Sequence, residues 1–263
     1  MKNLYRQAIY SYRGLFGWLS WQGYISAIVF RPALNMAIYA LVGRFALKPE
    51  AAGPIIVGLA AYQMPYVVFG GIANCVTRDR MFGTLQFTYV SRGSRAVTYL
   101  SKGVMHFPNA LLVVAIGLAS ASVFLGLSFS DANWPVLTVT SLVIALSSTA
   151  AALLIGNFGI IINDWSTAYG AFVGAMLALT GVIIPIASLP SFLSPISQIL
   201  PFTHGLAAFR QAFSGGSLSA VGNNLLLELA IGAVYGITGY FMYRFMEREA
   251  KRRGILDAPG ANL

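Results

Sequence analysis

Long uncharged stretches alternate with short charged ones along this chain. Ala51–Thr77 and Gly103–Ser130 contain no Asp, Glu, Lys or Arg. At about 1.5 Å per residue, each can cross a hydrocarbon core of about 30 Å as a helix. Followed from end to end, the pattern predicts spans over about residues 25–42, 54–76, 104–127, 136–162, 168–187 and 221–243. Trp18 and Trp21 stand where interfacial anchors of the first span belong. The uncharged stretch Trp165–Phe209 is too long for one span and is punctuated by Pro185, Pro190, Pro195 and Pro201. Each interior proline removes a helix hydrogen bond and clashes with the preceding turn. Leu189–Gly215 is therefore expected to form a re-entrant hairpin on the outer side. Such a segment is tolerated at membrane depth only where protein or a water-filled cavity surrounds it. The predicted fold class is an all-α polytopic membrane protein with six transmembrane helices.

The start of the chain has a different pattern. Within Met1–Gly23, Lys2, Arg6 and Arg13 gather on one side of a helical wheel. Leu4, Ala8, Leu15, Trp18 and Leu19 gather on the other. That distribution suits an amphipathic helix lying along the inner leaflet, with a frayed extension as the alternative. It is not read as a cleavable signal, since Gly14–Phe30 lacks an apolar core followed by a small-residue cleavage site. The expected organisation is an interfacial helix over residues 1–23, a six-span domain over 24–248 and a cytoplasmic tail over 249–263.

Composition agrees with a membrane solvent. Hydrophobic residues make up 57% and charged residues 10%, against about 25% charged in a soluble domain, and the mean hydropathy is +0.71. The net charge of +9 comes from basic residues that border the spans instead of forming a nucleic-acid-binding face. Six spans with both termini cytoplasmic place 13 of the 17 lysines and arginines inside, with Arg44, Lys48 and Arg210 outside and Arg31 within a span. This asymmetry predicts a multi-pass protein of the cell (inner) membrane with an even number of spans. The single cysteine, Cys75, excludes an internal disulfide, and with only His106 and His204 beside it no metal site is expected.

Charge inside the apolar sequence marks the candidate chemistry. The segment Thr77–Arg95, TRDRMFGTLQFTYVSRGSR, is the densest internal patch, and its four arginines against one aspartate place it in the cytoplasm. Met81, Phe82, Leu85 and Tyr89 share one helical stripe there. Such a stripe can pack on the protein's own spans, lie in the lipid interface or dock into a soluble partner. Arg31 is either a functional intramembrane charge or a side chain that snorkels to the headgroups. Glu228 can pair with Arg44 or Arg210, or bind a substrate cation or proton. Asp164 is read as a helix N-cap or as a proton-relay carboxylate. Gly170-x-x-x-Gly174 and Gly232-x-x-x-Gly236 permit close helix approach, a spacing frequent in spans.

Two segments together resemble the ABC-2 type permeases, the membrane subunits of ATP-driven exporters. The first is Asp79-Arg80-Met81-Phe82-Gly83-Thr84-Leu85, followed by Ser91-Arg92-Gly93-Ser94-Arg95. The second runs from Pro185-x-x-x-Leu189-Pro190 through Leu200-Pro201 to Arg210. Asp79 stands where glutamate is more usual in that pattern, and Gln86 replaces a frequent acidic residue. The resemblance covers Met1–Lys251 and implies two permeases facing each other, as a homodimer, each paired with a separate nucleotide-binding ATPase subunit. It implies that Asp79, Arg80, Met81, Phe82, Gly83, Thr84, Leu85 and Tyr89 form the coupling surface seated on that ATPase. The chain has no Gly-x-x-x-x-Gly-Lys-Ser/Thr and no Gly-Lys at all, so it lacks a phosphate-binding loop. No cofactor is expected in this chain; ATP and Mg would be bound by the partner, and the chain on its own is not expected to be an enzyme. Pro190, Phe192, Leu193, Ile196, Pro201 and Arg210 are expected to build an outer gate, with an immobile plug as the alternative. The expected cargo is a hydrophobic or amphipathic small molecule such as a drug, antibiotic or peptide. A lipid-linked glycan is the alternative cargo, and an ion-coupled secondary transporter using Glu228 the alternative mechanism. The lack of duplicated halves counts against the latter.

Overall fold

The computed structural model describes residues 21–46, 49–81, 95–104, 106–160 and 165–252, together with Ile9 and Ile162. All regular structure among them is helical. The chain enters through α1 (Trp21–Ile25), a π turn (Ser26–Phe30) and α2 (Arg31–Ala46). It continues with α3 (Pro49–Met81), α4 (Arg95–Val104), α5 (His106–Leu125) and α6 (Trp134–Gly156), which ends in a 3-10 turn over Asn157–Ile160. After α7 (Trp165–Leu179) come a 3-10 turn (Ile186–Ser188), two short helices α8 (Ser194–Ile199) and α9 (Thr203–Phe213), and the long α10 (Leu218–Arg252). Gly53–Ile72, Val97–Phe124, Trp134–Gly159 and Leu218–Glu249 are each long and apolar enough to cross a membrane, and Thr167–Leu179 is apolar but shorter.

The centre of the bundle is α6. It packs along α10 on one side and α3 on the other, α3 also packs along α5, and α9 wedges against α6, α10 and α3. Small and hydroxyl-bearing residues make this closeness possible. Thr140, Ser141, Ser147, Ser148, Ala151 and Ala152 of α6 are buried. A Cβ on Gly232 of α10 would stand 2.9 Å from Ser147 Cα, so only glycine admits this approach. In a solvent without water a buried hydroxyl gains from a protein acceptor. Thr140 and Ser141 donate to the Val136 and Leu137 carbonyls one turn back, both at 2.8 Å. The two glycine pairs seen in the sequence thus differ. Gly232 and Gly236 face α6, whereas a Cβ added to Gly170 or Gly174 of α7 would meet nothing within 4 Å.

Several boundaries differ from expectation. The helix of the second span does not stop with its apolar sequence but continues through Arg78, Asp79 and Arg80 to Met81. These residues form its last turn instead of a loop, because no glycine or proline intervenes before Gly83. Likewise Arg44, expected outside the membrane, belongs to the last turn of α2. The fifth apolar helix ends at Leu179, not near Ala187. Gly181 there adopts φ +84°, a left-handed conformation that terminates helices. The predicted interfacial helix over residues 1–23 falls outside the described residues, apart from Ile9 and from Trp21–Gly23, which open α1. The tail beyond Arg252 and the turn residue Asp164 also fall outside them.

Candidate functional site

Between α7 and α10 the backbone is broken into short pieces, as the prolines dictate. Pro190 and Pro195 initiate turns, with Leu193 N–H donating to Pro190 O at 2.9 Å and proline occupying the first turn of α8. Leu200-Pro201 then separates α8 from α9. The segment is two-faced. Pro201, Phe202, Leu206 and Phe209 are buried, whereas Phe192, Ile196 and Ile199 are 71%, 44% and 63% exposed. Polar stitches hold it. Ser197 Oγ donates to Leu179 O at 2.6 Å, and Thr203 Oγ1 donates to Ser197 O at 2.7 Å.

Glu228 of α10 anchors the returning helix. It is wholly buried, and its carboxylate accepts from Phe202 N–H at 2.7 Å and from Gly205 N–H at 2.9 Å. The Ser147 hydroxyl of α6 donates to the same oxygen as Phe202. Phe202 opens α9 without a side-chain cap of its own. A carboxylate from a different helix therefore satisfies two orphan N–H groups of the first turn and faces its positive end. Gly205 is required by this arrangement, since a Cβ there would lie 2.6 Å from Ile144 Cγ1 and 3.3 Å from Glu228 Cδ. Phe202 itself has φ +82°, a left-handed conformation costing a non-glycine residue about 1–2 kcal/mol. The Glu228 bond and an edge-on contact with Tyr62, with centroids 6.0 Å apart, hold it there.

Arg210 ties the other end of α9. Its Nε donates to Pro54 O at 3.0 Å, and Nη1 and Nη2 donate to Gly181 O and Val182 O at 2.9 Å each. The guanidinium thus joins α9 to the first turns of α3 and to carbonyls of the turn that follows α7. Of the two cations offered as partners for Glu228, Arg210 is thus bonded elsewhere. Each group instead satisfies backbone at its own end of α9, which removes the need for direct pairing. The Arg44 side chain lies outside the described residues.

The other intramembrane charge, Arg31, sits at the start of α2 and is exposed. Its Nη2 donates to the Tyr66 hydroxyl at 2.6 Å, and its Cζ lies 5.4 Å from the centroid of the Tyr66 ring. Of the coupling residues, Asp79, Arg80 and Met81 close α3. Phe82, Gly83, Thr84, Leu85 and Tyr89 lie outside the described residues. The sequence singled out Glu228, Arg210, Pro190 and Pro201. It did not reveal Ser147, Phe202, Gly205 or Tyr66. The first three lie 81, 26 and 23 residues from Glu228, and Tyr66 lies 35 residues from Arg31. No local spacing encodes such pairs.

Among the described residues, an all-helical bundle with several apolar spans and a broken, polar-anchored segment before its last helix is the architecture of a multi-pass membrane protein. The chain belongs to the ABC-2 type transporter family, whose pattern it matches over residues 5–214. It is similar to Nodulation protein J of Sinorhizobium fredii (strain NBRC 101917 / NGR234), 22% identical over 229 residues, which cover 78% of this chain and 84% of that protein. Membership makes the chain a transporter's permease component, and the family implies an ATP-binding partner subunit.

Proposed function

We propose that this chain is the membrane subunit of an ABC exporter that moves a hydrophobic or amphipathic small molecule out of the cell. The observation that carries this reading is the family match over residues 5–214 in a chain without a phosphate-binding loop. In this reading two copies face each other in the inner membrane, with six spans each and both termini cytoplasmic. ATP and Mg are bound by a separate subunit. The segment Met81–Tyr89 transmits its closure, and the continuous α3 supports this role. A 33-residue helix leading directly into that segment can carry motion to Pro54, where Arg210 is bonded. The hairpin is the outer gate, its apolar tip at Phe192, Leu193 and Ile196 facing its counterpart, with the lipid around it. The double anchoring by Glu228 and Arg210 supports a gate that moves as one body. Because both Glu228 oxygens are occupied by Ser147, Phe202 and Gly205, a structural role is favoured over ion coupling.

The test is energy coupling. Purified alone, the chain should show no ATP hydrolysis above background. Phe82→Asp or Leu85→Asp should reduce co-purification of the ATPase subunit by placing a charge in an apolar seat. Unchanged association and unchanged transport in both variants would remove the coupling assignment.

A further inference from the structure

Away from the hairpin, α2, α3 and α7 bring a cation and a group of tyrosines together well inside the apolar zone. Arg31 lies ten residues beyond Trp21 (31 minus 21) along the run α1–π turn–α2, about 15 Å of helix. Its partner Tyr66 lies eleven residues before Thr77 (77 minus 66), where the uncharged sequence of α3 ends, about 16 Å. Both measures put the guanidinium below the headgroups, where an arginine is costly and in general functional.

The backbone is shaped for it. Pro32 has no N–H to give to the preceding turn, and that turn opens into a π segment over Ser26–Phe30, with Arg31 N–H bonded to Ser26 O. Single π turns of this kind are frequent at functional sites. Tyr66 is held in turn. Tyr169 donates to its carbonyl at 3.3 Å, its ring lies 6.4 Å from that of Tyr62, and Tyr62 is fixed by its bond to Val173 O at 2.6 Å.

The donor count identifies the ligand chemistry. Among the described residues, one of the five guanidinium N–H groups is used, on Tyr66. The Tyr66 hydroxyl accepts that bond, so its own hydrogen remains to be donated. Among the described residues no carboxylate reaches Arg31. Among the described residues the cluster therefore offers donors and positive charge with no carboxylate to accept them. That excludes a cation and suits a planar or tetrahedral oxyanion, which the guanidinium fork matches. Phe30 and Leu34 beside it are each 60% exposed, an apolar surface along which an acyl or alkyl chain can lie. We propose that Arg31 and Tyr66 form a binding site for the oxyanion head group, phosphate or carboxylate, of a membrane-borne amphiphile.

This inference deepens the exporter reading and rests on it for the claim that the amphiphile is cargo. The probe is radiolabelled dodecyl phosphate, with dodecanol as the neutral control, and the full-length chain is held in nanodiscs of phosphatidylcholine. Wild type should bind dodecyl phosphate saturably and dodecanol weakly. Arg31→Gln should weaken dodecyl phosphate binding by about tenfold or more, and Arg31→Lys by less, since a point charge lacks the fork. Tyr66→Phe, which removes one hydroxyl and keeps the ring, should weaken it by about threefold and stands in if the arginine variants fail to fold. Discs containing phosphatidylglycerol distinguish the sources. Dodecyl phosphate displacing that lipid from wild type supports a site for passing cargo. Retention of the lipid by wild type but not by Arg31→Gln, with the probe excluded, supports the oxyanion site but overturns the cargo assignment. Equal binding by wild type, Arg31→Gln and Tyr66→Phe overturns the site itself. The assay contains no ATPase, so its failure leaves the coupling result of Phe82→Asp and Leu85→Asp standing, and the converse also holds.

Discussion

Removing the Glu228 carboxylate should loosen α9 from the bundle, and the size of the effect follows from its bonds. Glu228→Ala leaves the Phe202 and Gly205 N–H groups without acceptors in a buried site. At about 1–3 kcal/mol for each unsatisfied buried donor, the loss is about 2–6 kcal/mol before any packing term. Ser147 suffers less, because its hydroxyl can turn to Ile144 O at 3.1 Å. Glu228→Gln keeps the shape but must aim its amide nitrogen at one of the donors, so about 1–3 kcal/mol is lost. For a chain of this size 1 kcal/mol corresponds to about 2–4 °C in melting temperature. Thermal denaturation of the purified protein in one detergent should therefore rank wild type above Gln and Gln above Ala. A double variant with Arg210→Met adds a second check. Glu228 and Arg210 share no partner, so their losses should add to within about 0.5 kcal/mol. If both Glu228 variants melted within about 1 °C of wild type, the capping role would be refuted. A double variant rescued by more than about 1 kcal/mol would restore the ion pair.

Three further outcomes are expected. Arg210→Lys should be less stable than wild type and Arg210→Met less stable again, because lysine can reach at most part of the Pro54, Gly181 and Val182 carbonyl set; equal melting temperatures for all three would contradict the staple. Gly205→Ala should cost about 1–3 kcal/mol through its clash with Ile144, whereas Gly170→Ala, which meets nothing, should leave the melting temperature of the isolated chain unchanged. In a background lacking Cys75, single cysteines replacing Lys48, Asp131 and Ser217 should react with an impermeant thiol reagent in intact cells while one replacing Ser94 should not. Labelling at residue 94 from outside would sink the six-span arrangement.

The sequence by itself determined the solvent of this protein. Uncharged stretches such as Ala51–Thr77 are long enough to span a bilayer, and the helices over Gly53–Ile72, Trp134–Gly159 and Leu218–Glu249 lie where hydropathy put them. The break before the last helix was also legible, because Pro190, Pro195 and Pro201 act on their own turns. So was the importance of Glu228, since a carboxylate deep in apolar sequence must find a partner. Which partner it finds was not legible. Arg44 and Arg210 were the candidate cations, yet Glu228 and Arg210 both serve backbone, because the ends of short helices expose N–H and C=O groups that a membrane interior cannot solvate. That need exists only after the chain has folded back on itself. The same holds for Gly232, as ordinary as Gly170 in sequence, which becomes indispensable because α6 passes 2.9 Å from where its Cβ would stand. Local rules read each residue's demand for a partner; the tertiary packing alone decided who answered it.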